Sequence, residues 1–149
     1  MSRWDIKHTT DLNVPVDVAW KALVDLKSWE KWNLWTVLDA PEAKKGTSGK
    51  LRACYEGNDA DWQTFDFQFA DVSSEKHLLA WRGSVLGGLL FSGQHHMRLM
   101  ELEGGESCRL EHVEVFGGLL PMLGLGLPYK KLDRSYLLMN EALKKHLEG

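Results

Sequence analysis

The chain has 149 residues, of which 44% are hydrophobic and 26% charged, and these ordinary values predict one globular domain over residues 1–149 with its own core. The formal net charge is −3 and basic residues form no block, which argues against nucleic-acid binding. We expect a cytoplasmic protein without a transmembrane segment, because the chain has no signal-peptide-like start, no apolar run of about 20 residues and no CxxC motif.

The first part of the chain predicts a strand and two short helices. Residues 3–12 alternate loosely between apolar and polar side chains, as a strand does. A helix opens at residues 14–17, because Pro15 falls in its first turn, where the missing N–H costs nothing. Ser28 is the expected cap of a second short helix that ends at Asn33. The expected buried stripe of the first helix comprises Val18, Ala22, Leu23 and Leu26.

Strands dominate the middle of the chain after a turn-rich connection at residues 41–49. Three of them are Lys50–Glu56, Trp62–Val72 and His77–Val85. In the second, Phe65, Phe67 and Phe69 alternate with polar residues and therefore share one face. In the third, Trp81 lies on the apolar face.

A hairpin follows, formed by the runs Phe91–Leu99 and Arg109–Phe116 around a tight turn at Gly104-Gly105. Facing residues then have numbers that add up to 209. This register places Arg98 opposite Glu111, a favourable cross-strand charge pair. On the other face it pairs His95 with Glu114, Met97 with His112, and Leu99 with Leu110.

Three ionisable side chains, His95, His112 and Glu114, lie on the apolar faces of this hairpin. Such groups are costly in a dry core unless they are paired or hydrated. The pattern therefore favours a face that lines a cavity.

The last part of the chain predicts one long helix. From Tyr129 to Leu147 the apolar residues, which include Tyr136, recur at helical spacing, whereas polar residues such as Asn140 fall on other faces. The predicted order is a strand, two short helices, six strands and a long C-terminal helix. This order is typical of an α+β fold in which a curved antiparallel sheet wraps around the helix and encloses space.

This order resembles the START-like superfamily with the helix-grip fold, in particular its polyketide cyclase/dehydrase-like branch. The residues that carry the likeness are Val14–Trp20, Asp25–Asn33, Leu79–Gly83, Gly93–His95, Phe116–Leu120 and Tyr129–Leu147. The resemblance implies a deep, mainly apolar cavity between sheet and helix that accepts lipids, polyketides or similar molecules. Some members are cyclases or dehydratases, but the family shares no catalytic motif, so no catalytic residue is carried over.

The candidate site is the concave face of the sheet together with the long helix. His95 and Glu114 are the catalytic candidates: the carboxylate would fix the imidazole tautomer, and the ring would act as acid or base. The alternative is a structural buried pair, either in direct contact or bridged by water. We expect no metal and no cofactor, because His95 and His96 point to opposite faces and no HxxxH or HExxH motif occurs. The expected ligand-binding residues are Trp32, Phe65, Phe67, Phe69, Trp81, His95, Met97, His112, Glu114 and Tyr136.

The sequence favours a protein that binds a hydrophobic or aromatic small molecule with at least one polar group. The alternatives are a polyketide cyclase or dehydratase that uses His95 and Glu114, and a protein-interaction module similar to the chaperone-ATPase activators. Residues 86–90 and 117–128 are apolar where loops are usually polar. They are interpreted as a gate, as local packing, or as an apolar patch for a membrane or a homodimer.

Overall fold

The computed structural model describes residues 5–85, 88–125 and 127–149. Residues 3 and 4 of the predicted first strand and residues 86, 87 and 126 of the apolar loops lie outside this part. The helices are α1 (Val16–Val24), a 3₁₀ helix (Leu26–Lys31), α2 (Leu119–Met122) and α3 (Tyr129–Glu148). The strands are β1 (Ile6–Leu12), β2 (Thr36–Asp39), β3 (Ser48–Ala53), β4 (Gln63–Ser73), β5 (Leu78–Val85), β6 (Phe91–Glu101) and β7 (Cys108–Gly117).

The seven strands form one curled antiparallel sheet in the order β1-β7-β6-β5-β4-β3-β2. Strands β2 to β7 follow one another as a meander, and β1 closes against β7 at the far edge. Helix α3 contacts β1 and β7, and its predicted apolar stripe is buried at Tyr129, Leu132, Tyr136, Met139 and Leu143. The helix-grip architecture is therefore confirmed.

The predicted hairpin register is confirmed at every pair. His95 faces Glu114, Met97 faces His112, and Arg98 faces Glu111. Gly104 and Gly105 adopt φ angles of 88° and 73°, which the tight turn requires and which glycine adopts without strain.

The predicted charge pair at Arg98 and Glu111 forms no direct ion pair. The Glu111 carboxylate instead lies 3.4 Å from Lys7 Nζ and 3.4 Å from His96 Nε2. Lys7 belongs to β1, which adds to the other side of β7. A neighbouring strand that the hairpin alone did not reveal thus supplies the cation.

Two details of the predicted helices are wrong. Ser28 lies inside the 3₁₀ helix, which begins after Asp25, and its hydroxyl donates to the carbonyl of Asp25 at 2.7 Å. Helix α1 buries Val16, Ala19 and Leu23, whereas Val18 is 45% exposed. Helical spacing is compatible with the predicted stripe, which starts at Val18, and with the observed one, which starts at Val16. The docking of α1 on the sheet buries the second of these.

The sequence predicted six strands after the helices but located five of them. The sixth is β2 (Thr36–Asp39). Its four residues carry too little alternation to distinguish a strand from a loop. Strand β2 pairs with β3 at the edge of the sheet.

The two apolar loop segments lie against each other. The amide of Leu119 donates to the carbonyl of Leu89 at 3.1 Å, and the amide of Leu120 donates to the carbonyl of Leu90 at 2.9 Å. Several of their side chains are more than half exposed, among them Leu89, Leu119, Met122, Leu123 and Leu125. Among the helices of the described residues, none is both long and apolar enough to cross a bilayer.

Candidate functional site

A cavity lies between the concave face of the sheet and α3. The centre of a water-sized sphere can move through about 50 Å³ of it, so the cavity is large enough to hold water. Its walls come from β2 to β7 and from α3, with Leu127 beside the start of the helix. In this conformation the cavity suits a small molecule, or one group of a larger molecule.

Half of the predicted ligand-binding residues line this cavity: Phe65, Trp81, His95, Glu114 and Tyr136. Trp81 stacks on His95 with ring centroids 4.1 Å apart. Strand alternation and helical spacing thus placed aromatic and ionisable side chains from four strands and one helix around the same space.

The other five do not line it. Four of them belong to the larger core cluster: Trp32, Phe67, Phe69 and Met97. There α1 and the 3₁₀ helix pack on another part of the same sheet face and fill the space next to it. His112 lies behind His95 and is fully buried. Alternation identifies a face, but it does not tell which part of that face a helix covers.

Several lining residues were not predicted. Leu51, Ala53, Cys54 and Tyr55 come from β3 and the residues directly after it, and Trp35 and Thr36 come from the start of β2. The alternation of Leu51, Ala53 and Tyr55 in a predicted strand was a usable signal. Gly83, Phe91, Leu127, Leu132 and Ser135 complete the wall.

A chain of buried polar side chains connects the cavity wall to α3 and β1. His95 Nε2 lies 2.5 Å from His112 Nε2, and His112 Nδ1 lies 2.8 Å from Asn140 Oδ1. The Asn140 amide nitrogen donates to Thr10 Oγ1 at 3.2 Å. Asn140, predicted to lie away from the buried stripe, is in fact fully buried.

The Glu114 carboxylate is held between α3 and β6. Its Oε1 accepts a hydrogen bond from the Tyr136 hydroxyl and lies 3.6 Å from His95 Nδ1, beyond hydrogen-bond length. Its Oε2 occupies space that a Cβ at position 93 would fill. Gly93 on β6 therefore makes room for the carboxylate.

Burial controls the protonation of these groups. It raises the pKa of Glu114 to about 7, although the hydrogen bond from Tyr136 acts in the opposite direction. It lowers the pKa of His112 to about 4, and burial together with the neighbouring His112 and His96 lowers the pKa of His95 well below its ordinary value. Near pH 7 the site thus holds two neutral imidazoles beside a carboxyl group that is close to its midpoint.

Two side chains of the cavity wall carry a hydrogen-bond donor that has no partner among the described residues. The indole Nε1 of Trp81 and the hydroxyl of Tyr55 are both buried and unpaired. Burial also raises the pKa of Tyr55 to about 12, so that its hydroxyl keeps its proton. The wall is therefore mainly apolar, and its polar groups are these two donors, the His95–Glu114 pair and the side chains of Thr36, Cys54, Ser135 and Tyr136.

Within the described part of the chain, no three His, Cys, Asp or Glu side chains are grouped so that they could hold a metal ion. Cys54 and Cys108 are free thiols, and Cys54 lies in the cavity wall. Its Sγ donates to the carbonyl of Ala60 at 2.9 Å.

Residues 3–148 match the family described as polyketide cyclase / dehydrase and lipid transport. No curated protein matches the sequence. Among solved structures, the Zhui aromatase/cyclase from Streptomyces sp. R1128 is 16% identical with a TM-score of 0.69, over 97% of this chain and 93% of that chain.

Two other similar structures have comparable scores. A norcoclaurine synthase point mutant from Thalictrum flavum, in complex with a transition state analogue, is 13% identical with a TM-score of 0.69, over 97% of this chain and 93% of that chain. The di-domain ARO/CYC BexL is 11% identical with a TM-score of 0.73, and the match covers 97% of this chain but 46% of that chain. At these identities the likeness concerns the fold alone.

Proposed function

Because the chain belongs to the polyketide cyclase / dehydrase and lipid transport family, we propose that it binds a small, mainly apolar molecule with an oxygen-containing group in the cavity between the sheet and α3. The observation that carries this proposal is the pair of unpartnered buried donors, Trp81 Nε1 and the Tyr55 hydroxyl. A buried donor left without a partner costs about 1–3 kcal/mol. An acceptor oxygen on a ligand would recover that cost.

The apolar part of the wall supplies affinity without much selectivity. Burying about 200 Å² of apolar ligand surface is worth roughly 5 kcal/mol, which corresponds to a dissociation constant of about 0.1–1 mM before the costs of association are subtracted. Each well-placed hydrogen bond then adds about fivefold. Polar contacts to Trp81 and Tyr55 therefore decide which apolar molecules bind well.

A matched pair of probes tests the proposal. Acetophenone and α-methylstyrene have nearly the same shape, because a C=CH₂ group replaces the C=O group, but only acetophenone has a carbonyl acceptor. We expect isothermal titration or ligand-observed NMR to show about fivefold tighter binding of acetophenone for each donor that its carbonyl engages. We expect this preference to fall in Trp81→Phe, in Tyr55→Phe or in both.

The control for these variants is Trp62→Phe. The indole nitrogen of Trp62 donates to Asp59 Oδ1 at 2.9 Å and the residue does not line the cavity. It should keep the wild-type preference. Equal binding of the two probes by the wild type, or a preference that survives in both cavity variants, would contradict the proposal.

A second candidate function is acid–base catalysis of the cyclase or dehydratase type. It is supported by the 3.6 Å separation between His95 Nδ1 and Glu114 Oε1 in the wall of the proposed ligand cavity. In enolisation, His95 would take a proton from the carbon next to a ligand carbonyl while protonated Glu114 gives its proton to the carbonyl oxygen. The enol could then attack a second carbonyl in the same molecule and close a ring.

Enolisation can be followed with the same probe. In D₂O, the methyl protons of acetophenone exchange for deuterium each time an enol forms and returns. We expect the wild type to accelerate this exchange over buffer, and His95→Gln to abolish the acceleration while acetophenone still binds. Exchange at the buffer rate with bound wild type would leave a binding protein without this activity.

A further inference from the structure

We infer that Asn140, a side chain outside the cavity, sets the hydrogen-bond polarity of the cavity wall by fixing the tautomers of His112 and then His95. His95 consequently presents an unprotonated Nδ1, and the site selects ligands with a hydroxyl, as in a phenol or an enol. The assignment of the ligand group rests on the proposed function. The assignment of the tautomers does not.

The first step is the orientation of the Asn140 amide. Its Nδ2 donates to Thr10 Oγ1 at 3.2 Å, which leaves Oδ1 facing His112 Nδ1 at 2.8 Å. An amide oxygen can only accept a hydrogen bond. His112 must therefore carry a proton on Nδ1.

The second step transmits this choice to the cavity wall. His112 and His95 are both buried, and a charged imidazole without a direct anionic partner is costly in such a place. His112 is therefore neutral, with a bare Nε2 that accepts a hydrogen bond. Among the described residues, the hydrogen-bonding group that lies against this nitrogen is His95 Nε2, at 2.5 Å, so His95 donates from Nε2 and its own Nδ1 is bare.

The third step concerns what Nδ1 can bind. It lies 3.6 Å from Glu114 Oε1, too far for a direct hydrogen bond, and that oxygen already accepts from the Tyr136 hydroxyl. A ligand hydroxyl can donate to His95 Nδ1 while its oxygen accepts from one of the unpartnered donors in the wall. An ether or an unenolised ketone provides only the second of these contacts.

The tautomers can be measured without any ligand. Long-range ¹H–¹⁵N correlation spectra of the ¹⁵N-labelled protein at pH 8 report which ring nitrogen of each histidine bears the proton. We expect Nε2 for His95 and Nδ1 for His112 in the wild type. A proton on His95 Nδ1 in the wild type would overturn the inference.

Two substitutions at Asn140 separate tautomer control from packing. Asn140→Asp keeps an acceptor for His112 Nδ1 and should preserve both tautomers at pH 8. Asn140→Leu removes the side-chain acceptor and keeps the hydrogen bond to the Tyr136 backbone, so we expect part of the His112 population to move its proton to Nε2 and part of the His95 population to move its proton to Nδ1. Unchanged tautomers in Asn140→Leu would contradict the inference.

If Asn140→Leu does not fold, Thr10→Val provides the same test. Thr10 is half-buried on β1, and its loss frees the amide of Asn140 to rotate and donate to His112. We then expect a mixture of tautomers for both histidines. A single wild-type tautomer in Thr10→Val would show that Thr10 does not orient the amide and would contradict the first step.

Phenol and anisole test the ligand assignment, since they differ in whether the oxygen can donate. The wild type should bind phenol about fivefold more tightly than anisole, and a variant with inverted tautomers should lose this preference. Equal binding by the wild type would overturn the hydroxyl assignment. If neither compound binds but the tautomers are as expected, the proposed function fails and the role of Asn140 is supported.

Discussion

Glu114→Gln should change the pH dependence of stability in a defined direction. Burial raises the pKa of Glu114 from 4.5 to about 7 in the folded protein, so the folded state holds this proton more tightly than the unfolded chain does. Its favourable contribution is complete below about pH 4.5 and is lost as the pH rises to about 7. At about 1.4 kcal/mol per pKa unit, the loss is about 3 kcal/mol.

Glutamine imitates the protonated carboxyl group at every pH. We therefore expect Glu114→Gln and the wild type to be similarly stable near pH 4.5, and the variant to be more stable by up to about 3 kcal/mol at pH 8. The lowered pKa values of His95 and His112 act in the opposite direction, but they are common to both proteins and cancel in the difference. The measurement is urea unfolding at pH 5, 6, 7 and 8, compared as the free energy of unfolding.

Glu111→Gln provides a control of opposite sign on the same strand. Despite partial burial, hydrogen bonds from His96 and Lys7 lower the pKa of Glu111, so its contribution is present above the ordinary pKa and is lost as the pH falls. This variant should be less stable than the wild type at pH 7, with a difference that shrinks in acid. A stability difference between Glu114→Gln and the wild type that is constant from pH 5 to 8 would refute the neutral buried carboxyl.

Gly93→Ala should destabilise the protein by about 1–3 kcal/mol, because the new Cβ meets the Glu114 carboxylate. Urea unfolding measures this loss, and Gly83→Ala is the control, because its Cβ would lie 3.8 Å from its nearest neighbour. Tyr55→Phe should leave the ligand-free protein as stable or more stable by about 1 kcal/mol, since it removes an unpartnered hydroxyl; a large loss measured by thermal unfolding would indicate a partner for that hydroxyl. Tyr136→Phe should move the Glu114 midpoint above about 7, because the hydrogen bond that it removes lowers that pKa; ¹³C NMR of the carboxyl carbon gives the midpoint, and a fall would contradict the assignment.

Local patterns predicted those parts of the fold in which one element determines its own geometry. The Gly104-Gly105 turn fixed the register of β6 and β7, and with it the pairing of His95 with Glu114. The spacing from Tyr129 fixed the buried face of α3.

Features that depend on contacts between distant elements were not predictable in this way. Asn140 lies on α3 beside the apolar stripe, and it is buried where α3 meets β1 and β7, which bring Thr10 and His112 to it. The same limit separates Phe65 from Phe67 and Phe69: all three alternate correctly, but α1 and its neighbours decide which part of the sheet face is filled. A single sequence therefore predicts which residues share a face of a strand or helix. It does not predict which part of that face another element packs on.

The closure of β1 against β7 has a consequence for the order of folding. Strands β2 to β7 pair with neighbours in sequence, whereas Leu12 pairs with Cys108, a separation of roughly 100 residues. Chain entropy makes such a loop harder to close than a short hairpin by about 2 kcal/mol. We therefore expect the meander to assemble first and β1 to join late. Thr10 then reaches Asn140 only in the final stage, so the orientation of the Asn140 amide toward His112 is set in that last step.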